Sequence, residues 1–254
     1  MLNVLVAVVA GLGAGLATGL AGLSAAVVVS PMLISLCGMP AYQAVSVSLA
    51  SDVAASAVSA YTYGKNGNLD VKGGLVMMAS VMLFTALGSW LSSLVPQAVI
   101  GGGSYLITIF MGLRFLRRPV MRTSDAVEQL DGRTRVLRSA ASGVPIGLIC
   151  GFIGAGGGMM MLFMLTSVLG YRLKTAVGTS TFIMTFTAAT GAISHIAIAG
   201  APDPATLVAC MLAAPVGSRA SALFANRLDE RALNRALGAV LLVLGGIMAL
   251  VSFL

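Results

Sequence analysis

Few side chains in this sequence are suited to chemistry, and the most conspicuous is an aspartate inside an apolar run. Asp52 lies near the middle of residues 41–63, so a membrane-spanning helix there would hold its carboxylate far from water. A central aspartate costs roughly 2.5–3.5 kcal/mol on insertion scales, and a tolerated one usually faces a cavity or a partner. We consider two roles for Asp52. It is a proton or cation coupling site or gate, or it is a structural acid hydrogen-bonded to Ser48, Ser51 and Ser56.

Two further ionisable residues stand within apolar runs. Arg219 either reaches the membrane interface, as long cationic side chains do, or binds an anionic substrate or pairs with Asp52. His195 is the single histidine and lies close to the end of its run. It is either a packed, hydrogen-bonded residue or a proton relay, for which the titration of histidine near neutral pH is suited.

Hydroxyl side chains recur at equivalent places in the two halves of the chain. Such hydroxyls either donate to the oxygens of a small anion or bond back to the carbonyls of their own helices. We predict that they contribute to substrate binding, together with one serine beside the first glycine-rich stretch. The hydroxyl candidates are Ser24, Ser46, Ser48, Thr179, Ser180 and Thr181.

The sequence argues against an enzyme, a metal site and ATP as the energy source. One histidine, few carboxylates and no His-x3-His spacing leave neither a nucleophile–base pair nor a cluster of metal ligands. No phosphate-binding loop of the form Gly-x4-Gly-Lys-Ser/Thr is present. We therefore expect no catalytic residue, no metal and no cofactor.

The composition indicates an all-α integral membrane protein. Of 254 residues, 58% are hydrophobic and only 9% are charged, against roughly a quarter charged in soluble domains. Crossing the hydrocarbon core takes about 20 residues, and most of the apolar runs are that long. Most of the basic residues behind the net charge of +7 lie in segments between these runs, so we expect a lipid bilayer and no nucleic acid as partner. The apolar runs are 2–36, 41–63, 73–95, 98–116, 139–169, 175–199, 205–223 and 232–254.

Two copies of one unit make up the chain. A shift of 132 residues aligns the halves. A series of glycines spaced three or four apart, and several residues that follow it, then coincide in the same order. We divide the chain into a first membrane repeat (1–116), an Arg-rich cytoplasmic connection (117–138) and a second membrane repeat (139–254). For the connection we favour a solvated loop over a short surface helix. The aligned pairs are Gly11/Gly143, Gly15/Gly147, Gly19/Gly151, Gly22/Gly154, Gly38/Gly170, Ser48/Ser180 and, after one inserted residue, Asp70/Asp203.

Each half opens with a run too long for one span. Residues 2–36 would form a helix of roughly 50 Å, against a hydrocarbon core of about 30 Å. Glycine costs about 1 kcal/mol relative to alanine inside a helix, so the cluster around Gly156, Gly157 and Gly158 should break the second run. We predict a helical hairpin at the start of each half, with Gly156–Gly158 as an unwound, substrate-binding turn. The glycines spaced four apart earlier in each run are predicted to pack helices together.

The positions of the basic residues favour inverted repeats. Lys and Arg in short loops mark the cytoplasmic side. If each hairpin returns to its own side and three spanning helices follow, every basic loop faces the cytoplasm. The loops around Met39, Gln97 and Asp203 carry no Lys or Arg and then face outward. Substrate would bind at mid-membrane between the two repeats, where unwound backbone must line a cavity or be buried in protein.

These motifs resemble the TauE/SafE sulfite exporter family over nearly the whole chain. The resemblance is carried by Gly147-x3-Gly151-x2-Gly154-x-Gly156-Gly157-Gly158, then Gly170, Ala176–Ser180 and Gly191-Ala192-x2-His195. Residues 63–70 look like the corresponding part of the first repeat. The first half departs from the pattern, because Gly22-Leu23-Ser24-Ala25-Ala26 replaces the glycine cluster.

Membership would imply a multi-pass permease of a bacterial or archaeal inner membrane. It would move small anions, often sulfur-containing ones such as sulfite, thiosulfate or organosulfonates. We expect a secondary transporter, with a proton as a candidate coupling ion and a homo-oligomer left open. The alternatives are a passive anion channel and a non-transporting scaffold or sensor subunit.

Overall fold

A computed structural model describes residues 2–94, 104–117, 119, 131–153 and 157–252. These residues form helices joined by short turns, and this part of the chain contains no strand. A π-helical turn, Leu165–Leu169, continues α7. The helices are α1 (Leu2–Ala21), α2 (Ala26–Cys37), α3 (Ala41–Lys65), α4 (Val71–Ser92), α5 (Ser104–Arg117), α6 (Gly132–Ile153), α7 (Gly157–Met164), α8 (Leu173–Ala199), α9 (Pro204–Arg227) and α10 (Glu230–Ser252).

Local sequence explains where several helices begin and end. The Asp70 carboxylate accepts from the Gly73 N–H at 2.8 Å and caps α4, and Asp203 caps α9 by accepting from the Thr206 N–H at 2.9 Å. Gly38 terminates α2 in the left-handed conformation, with φ of 63°. That conformation is strained for residues with a side chain.

Five described helices are long and apolar enough to cross a membrane: α1, α3, α4, α8 and α9. Two shorter apolar helical segments, Ala26–Cys37 and Gly157–Leu169, lie beside them. These lengths and compositions confirm the prediction of a multi-pass, all-α membrane protein.

A short returning helix follows the first helix in each half. In the first half α1 ends at Ala21 and the chain turns at Gly22, whose φ is 63°. The 12-residue α2 then runs back along α1, so that Val28 faces Gly13. A helix of this length rises roughly 18 Å, about half of the bilayer core. The predicted hairpin is therefore present, with one full-length arm and one short arm.

In the second half, α6 ends at Ile153 and α7 begins at Gly157. The predicted unwound turn, Gly156–Gly158, needs a correction, because Gly157 and Gly158 are the first two residues of α7. Gly156 lies outside the described residues. The first N–H groups of a helix lack intrahelical acceptors, so these two glycines still carry backbone donors that the helix itself does not use.

The Arg-rich connection is partly helical. Residues 132–138 form the start of α6, where the prediction had a loop. This stretch is fixed against the bundle because Arg135 forms an ion pair with Asp70 at the start of α4. Residues 118 and 120–130 lie outside the described part of the chain.

The first helix of each half packs against the fourth helix of the other half. A Cβ at Gly15 of α1 would overlap the Ala214 carbonyl oxygen of α9, and a Cβ at Gly151 of α6 would overlap the Thr85 carbonyl oxygen of α4. Small residues allow this backbone contact, as they do in membrane helix pairs generally. The four-residue glycine spacing therefore serves helix packing, as predicted.

The third helices of the two halves, α3 and α8, pack along each other in opposite directions. Leu49 lies beside Gly191, while Tyr63, near the other end of α3, lies beside Gly178. Between them Thr185 Oγ1 lies 3.2 Å from Ser56 Oγ. The fifth helices also run antiparallel, because Gly112 of α5 lies against Leu242 of α10 and Leu116 lies against Gly238.

Candidate functional site

The helix breaks of the two halves meet inside the protein. A Cβ at Gly158, in the first turn of α7, would overlap the carbonyl oxygen of Gly22 and lie 3.0 Å from the Ser24 backbone nitrogen. A Cβ at Gly22 would lie 2.6 Å from Ser180 Oγ of α8. Glycine at both positions allows one broken segment to rest on the other. We call this contact the break junction, and its members so far are Gly22, Ser24, Gly158 and Ser180.

Asp52 lies beside the break junction and is almost completely buried, with 1% of its surface exposed. Neither carboxyl oxygen has a hydrogen-bond partner among the described residues. The Ser24 hydroxyl, the Ala25 backbone N–H and the Thr18 hydroxyl lie near the carboxyl group, but none of them has the geometry of a hydrogen bond to it. A buried carboxyl group without a partner is costly, and in a native site it calls for an unseen proton, water or ligand.

The serines predicted to hold Asp52 do not hold its carboxylate. Ser48 and Ser51 donate to the carbonyl oxygens of Ala44 and Val47 at 2.6 and 2.8 Å. Ser56 donates to the backbone carbonyl of Asp52 and not to its side chain. The structural-acid role therefore lacks the partners that the sequence offered for it.

A buried thiol closes the other side of the break junction. Cys150 of α6 is near enough to Asp52 and Thr85 to interact with both, and a Cβ at Gly157 would lie 2.9 Å from Cys150 Sγ. The thiol is buried. Gly157 is thus needed for α7 to start against the end of α6, next to the Asp52 carboxylate.

Six of the predicted site residues come together here. Ser180 and Thr181 of α8 face Gly22, and their hydroxyls donate to the carbonyl oxygens of Val177 and Gly178, both at 2.9 Å. A hydroxyl can donate only one proton, so each must rotate before it can donate to an anion. The six residues are Ser24, Asp52, Gly157, Gly158, Ser180 and Thr181.

Three of the predicted hydroxyls lie elsewhere. Ser46 donates to the Tyr42 carbonyl oxygen at 2.8 Å. Ser48 Oγ lies 2.7 Å from Ser30 Oγ between α2 and α3. Thr179 Oγ1 accepts from the Asp70 backbone N–H at 3.1 Å, at the end of the bundle where α4 begins.

His195 also lies away from the break junction. It is completely buried, its Nε2 is 3.2 Å from the Gly151 carbonyl oxygen, and its ring centroid is 5.6 Å from that of Tyr42. The residue 132 positions earlier is Tyr63, whose hydroxyl donates to the Gly19 carbonyl oxygen at 3.1 Å. Gly19 and Gly151 are likewise 132 positions apart. His195 and Tyr63 therefore make the same contact in the two halves.

Arg219 is on the outside of the bundle and does not pair with Asp52. It is exposed on α9 and lines a lateral cleft of about 660 Å³ together with Lys65 at the end of α3. The Ser218 hydroxyl donates to the Ala55 carbonyl oxygen at 2.6 Å and joins α9 to α3 on the inner side.

Sequence reasoning missed Thr18 and Met184. Thr18 Oγ1 lies 2.7 Å from the Leu23 carbonyl oxygen and so bridges the first helix break. Its one signal in sequence is a hydroxyl four residues before Gly22 in an apolar run. Met184 Sδ would lie 2.7 Å from a Cβ at Gly158, and no local pattern indicates that contact.

The site combines helix starts with a single buried acid. Helices α2 and α7 both begin at the break junction, and the N-terminus of a helix favours negative charge through its free N–H groups and dipole. Among the described residues, no group of three or more His, Cys, Asp or Glu side chains could hold a metal ion. The arrangement can bind a small anion if Asp52 is neutral, and it disfavours one if Asp52 is charged.

Comparison with known proteins gives a consistent picture. A family model described as "Sulfite exporter TauE/SafE" matches residues 7–248. Among curated proteins, the "Probable membrane transporter protein YdhB" of Bacillus subtilis (strain 168) is 25% identical over 227 residues, which cover 88% of this chain and 91% of that protein. The "Probable membrane transporter protein YunE" of the same strain is 25% identical over 264 residues, with 96% of each chain covered. No solved structure matches.

Proposed function

Because the chain belongs to the TauE/SafE sulfite exporter family, we propose that this membrane transporter is a secondary transporter of a small sulfur-containing anion. Candidate substrates are sulfite, thiosulfate and an organosulfonate. The observation that carries the proposal is the meeting of two helix starts beside the unpartnered carboxyl group of Asp52. We also propose that this multi-pass protein lies in a bacterial or archaeal inner membrane.

The two halves form inverted repeats in this proposal. Antiparallel packing of the equivalent helices α3 and α8 supports it, because a two-fold axis relating antiparallel helices lies in the membrane plane. The exchange of packing partners, α1 with α9 and α6 with α4, is what such an axis produces. The basic residues at the ends of α3 and α9 then mark the cytoplasmic face.

The anion binds at the break junction between the repeats. Backbone N–H groups just before α2 and at the start of α7 donate to its oxygens, since the first N–H groups of α2 itself already donate to Ser24 and Ala25. The hydroxyls of Ser24, Ser180 and Thr181 rotate toward it from their present positions. Gly157 and Gly158 allow the close approach that places the two helix starts on one ligand. Asp52 is buried, with 1% of its surface exposed, so transport requires opening of the bundle on one side at a time.

Asp52 couples the anion to a proton. A charged carboxylate would repel the anion across a few ångströms of low-dielectric protein, whereas a protonated one removes that repulsion and donates a hydrogen bond. Anion and proton therefore bind together and leave together. A proton gradient then drives the anion in the same direction as the proton.

The test is anion flux into proteoliposomes containing the full chain. Sulfite, thiosulfate, sulfoacetate and taurine are compared with acetate and phosphate, with and without an imposed proton gradient. We expect saturable flux of a sulfur anion that the gradient accelerates. Flux that does not saturate and ignores the gradient would indicate a passive channel, and no flux of any sulfur anion would contradict the proposed substrate class.

Asp52→Asn is the variant that tests the coupling of anion and proton most directly. The amide resembles a permanently neutral carboxyl group, so we expect substrate binding and exchange to persist while gradient-driven net flux is lost. Asp203→Asn is the matched control, because Asp203 caps α9 far from the break junction and should leave the gradient response intact. An unchanged gradient response in Asp52→Asn would remove Asp52 from the coupling mechanism.

A further inference from the structure

A lateral cleft with two cations opens between the later turns of α3 and α9. It has a volume of about 660 Å³, and its lining includes Lys65, Asn66 and Thr62 on the α3 side and Arg219 and Leu223 on the α9 side. Both cations are exposed. Among the described residues, no aspartate or glutamate lines the cleft, so its lining carries two positive charges without a compensating acid.

The polar end is held in place by an aromatic contact. Lys65 Nζ lies 4.7 Å from the centroid of the Tyr61 ring, a cation–π geometry. The amide of Asn66 donates to the Thr62 carbonyl oxygen at 2.7 Å. Lys65 is therefore a positioned cation at this end of the cleft, and Arg219 lines the α9 wall.

The remainder of the cleft is apolar and faces outward. Val216 of α9 is 64% exposed and Tyr61 of α3 is 62% exposed, as is usual for side chains that contact lipid. A second outward groove, about 500 Å³ and lined by Phe182 and Phe186 of α8, shares Tyr61 and Lys65 with the first. Lys65 and Tyr61 thus form a ridge between two apolar grooves.

We propose that this ridge and the cleft beside it bind one anionic phospholipid. The phosphate-containing headgroup lies between Lys65 and Arg219, and the acyl chains follow the two apolar grooves on either side of Tyr61. Basic residues at the membrane surface attract anionic lipid headgroups. The proposed topology puts Lys65, at the end of α3, at the cytoplasmic leaflet, and Arg219, about two turns before the end of α9, reaches the same leaflet by extending its side chain.

The transported anion does not account for this cleft. The bond from Ser218 to the Ala55 carbonyl oxygen closes α9 onto α3 on the inner side, and the break junction lies beyond it. The exposed apolar walls would be unfavourable for a small hydrated anion, whereas they suit acyl chains.

Native mass spectrometry of the full chain in detergent tests the proposal. The protein is titrated with phosphatidylglycerol and with phosphatidylcholine of the same acyl chains, and bound lipid is counted. We expect one phosphatidylglycerol bound in preference to phosphatidylcholine. In Lys65→Gln/Arg219→Gln that preference should weaken by roughly 30-fold, since each basic group contributes on the order of a tenfold or smaller factor.

Two further variants separate this site from general surface charge. Lys72→Gln/Arg231→Gln removes two exposed cations from the starts of α4 and α10, outside the cleft, and should keep the preference. Lys65→Arg/Arg219→Lys retains both charges and should also keep it. Equal loss in Lys72→Gln/Arg231→Gln would overturn the proposal, and so would unchanged binding in Lys65→Gln/Arg219→Gln.

A competition experiment with soluble anions distinguishes binding of the lipid from binding of a free phosphate compound. Millimolar inorganic phosphate and glycerol phosphate are added to the lipid-bound protein. Retention of the lipid supports a site that recognises headgroup and chains together, while displacement by either anion contradicts it. The readout is binding alone, so its failure would leave the transport proposal untouched.

Discussion

At the scale of single residues, the break junction depends on glycines, which have no side chain to keep the two backbone segments apart. Gly22, Gly157 and Gly158 allow backbone to approach backbone where any side chain would intrude. Asp52 then faces this contact without a hydrogen-bond partner from the described residues. In the proposed binding site, which has few polar side chains, the backbone N–H groups just before α2 and at the start of α7 are the main donors available to an anion.

Replacing Gly158 by alanine should disrupt the break junction. The new Cβ would overlap the Gly22 carbonyl oxygen, which belongs to backbone and cannot rotate away. We expect a destabilisation of about 1–3 kcal/mol, typical of overpacking, together with loss of transport. Thermal unfolding in detergent and proteoliposome flux measure the two effects.

Gly246→Ala serves as the control for Gly158→Ala, because no atom lies within 4 Å of a Cβ at that position in α10. It should retain stability and flux. Full transport by Gly158→Ala would show that the two helix breaks need not touch.

His195 should prove to be a structural residue rather than a proton relay. Its contact with the Gly151 carbonyl oxygen repeats that of Tyr63 with Gly19, and a tyrosine cannot relay protons near neutral pH. In His195→Gln we expect the pH profile of flux to keep its shape. The unfolding free energy should fall by about 1 kcal/mol through the weakened buried hydrogen bond.

A second substitution guards against a variant that fails to fold. His195→Tyr introduces a hydroxyl like that of Tyr63 at the equivalent position. It should also keep the pH profile, provided that the larger ring is accommodated. A flattened pH profile in a folded His195→Gln variant would assign the relay role to this residue.

At the scale of elements, the two ends of the bundle are tied together unequally. At one end the Asp70 carboxylate accepts from Arg135 Nη2 at 2.5 Å and from the Tyr171 hydroxyl at 2.9 Å. This joins the start of α4 to the second half of the chain. Burial beside Asp70 raises the pKa of Tyr171, so the phenol stays protonated and keeps donating. The equivalent Asp203 only caps its own helix, within the described residues.

The Asp70 contact should behave as one energetic unit. Asp70→Asn and Arg135→Gln each remove the same ion pair, whose partners are about a quarter exposed, so each should cost about 1 kcal/mol or less. The double variant should cost less than the sum of the two. Thermal unfolding of the single and double variants gives the comparison.

Asp203→Asn combined with Arg135→Gln provides the matched cycle. These residues do not touch, so their effects should add. Additive effects in the Asp70 and Arg135 cycle would mean that the ion pair does not join the two halves.

At the scale of the whole molecule, the hairpins could be predicted because residues 2–36 are too long for one span and the glycine cluster of the second run is a poor helix former. Duplication also followed from sequence, because the series of glycines from Gly11 to Gly22 repeats 132 residues later. The contact of Gly22 with Gly158 did not follow, since it depends on how two halves dock. Sequence also left open whether Arg219 reaches the interface, binds the substrate or pairs with Asp52, because its distance along α9 predicts its depth but not which face of the helix it occupies.

The last prediction concerns the side of the membrane on which two aligned loops of the halves lie. Single cysteines at Asn68, between α3 and α4, and at Ala201, between α8 and α9, occupy aligned positions in the two repeats. With inverted repeats they lie on opposite sides of the membrane. We expect a membrane-impermeant thiol reagent added outside intact cells to label Ala201→Cys but not Asn68→Cys. Disrupted cells should allow labelling of both.

The background for this experiment is Cys37→Ser, because Cys37 is partly exposed while Cys150 and Cys210 are buried. The unmodified Cys37→Ser protein should remain unlabelled and provides the baseline. Labelling of both new cysteines from outside, or of neither, would place the two loops on one side. The halves would then be parallel, and the antiparallel packing of α3 and α8 would need another explanation.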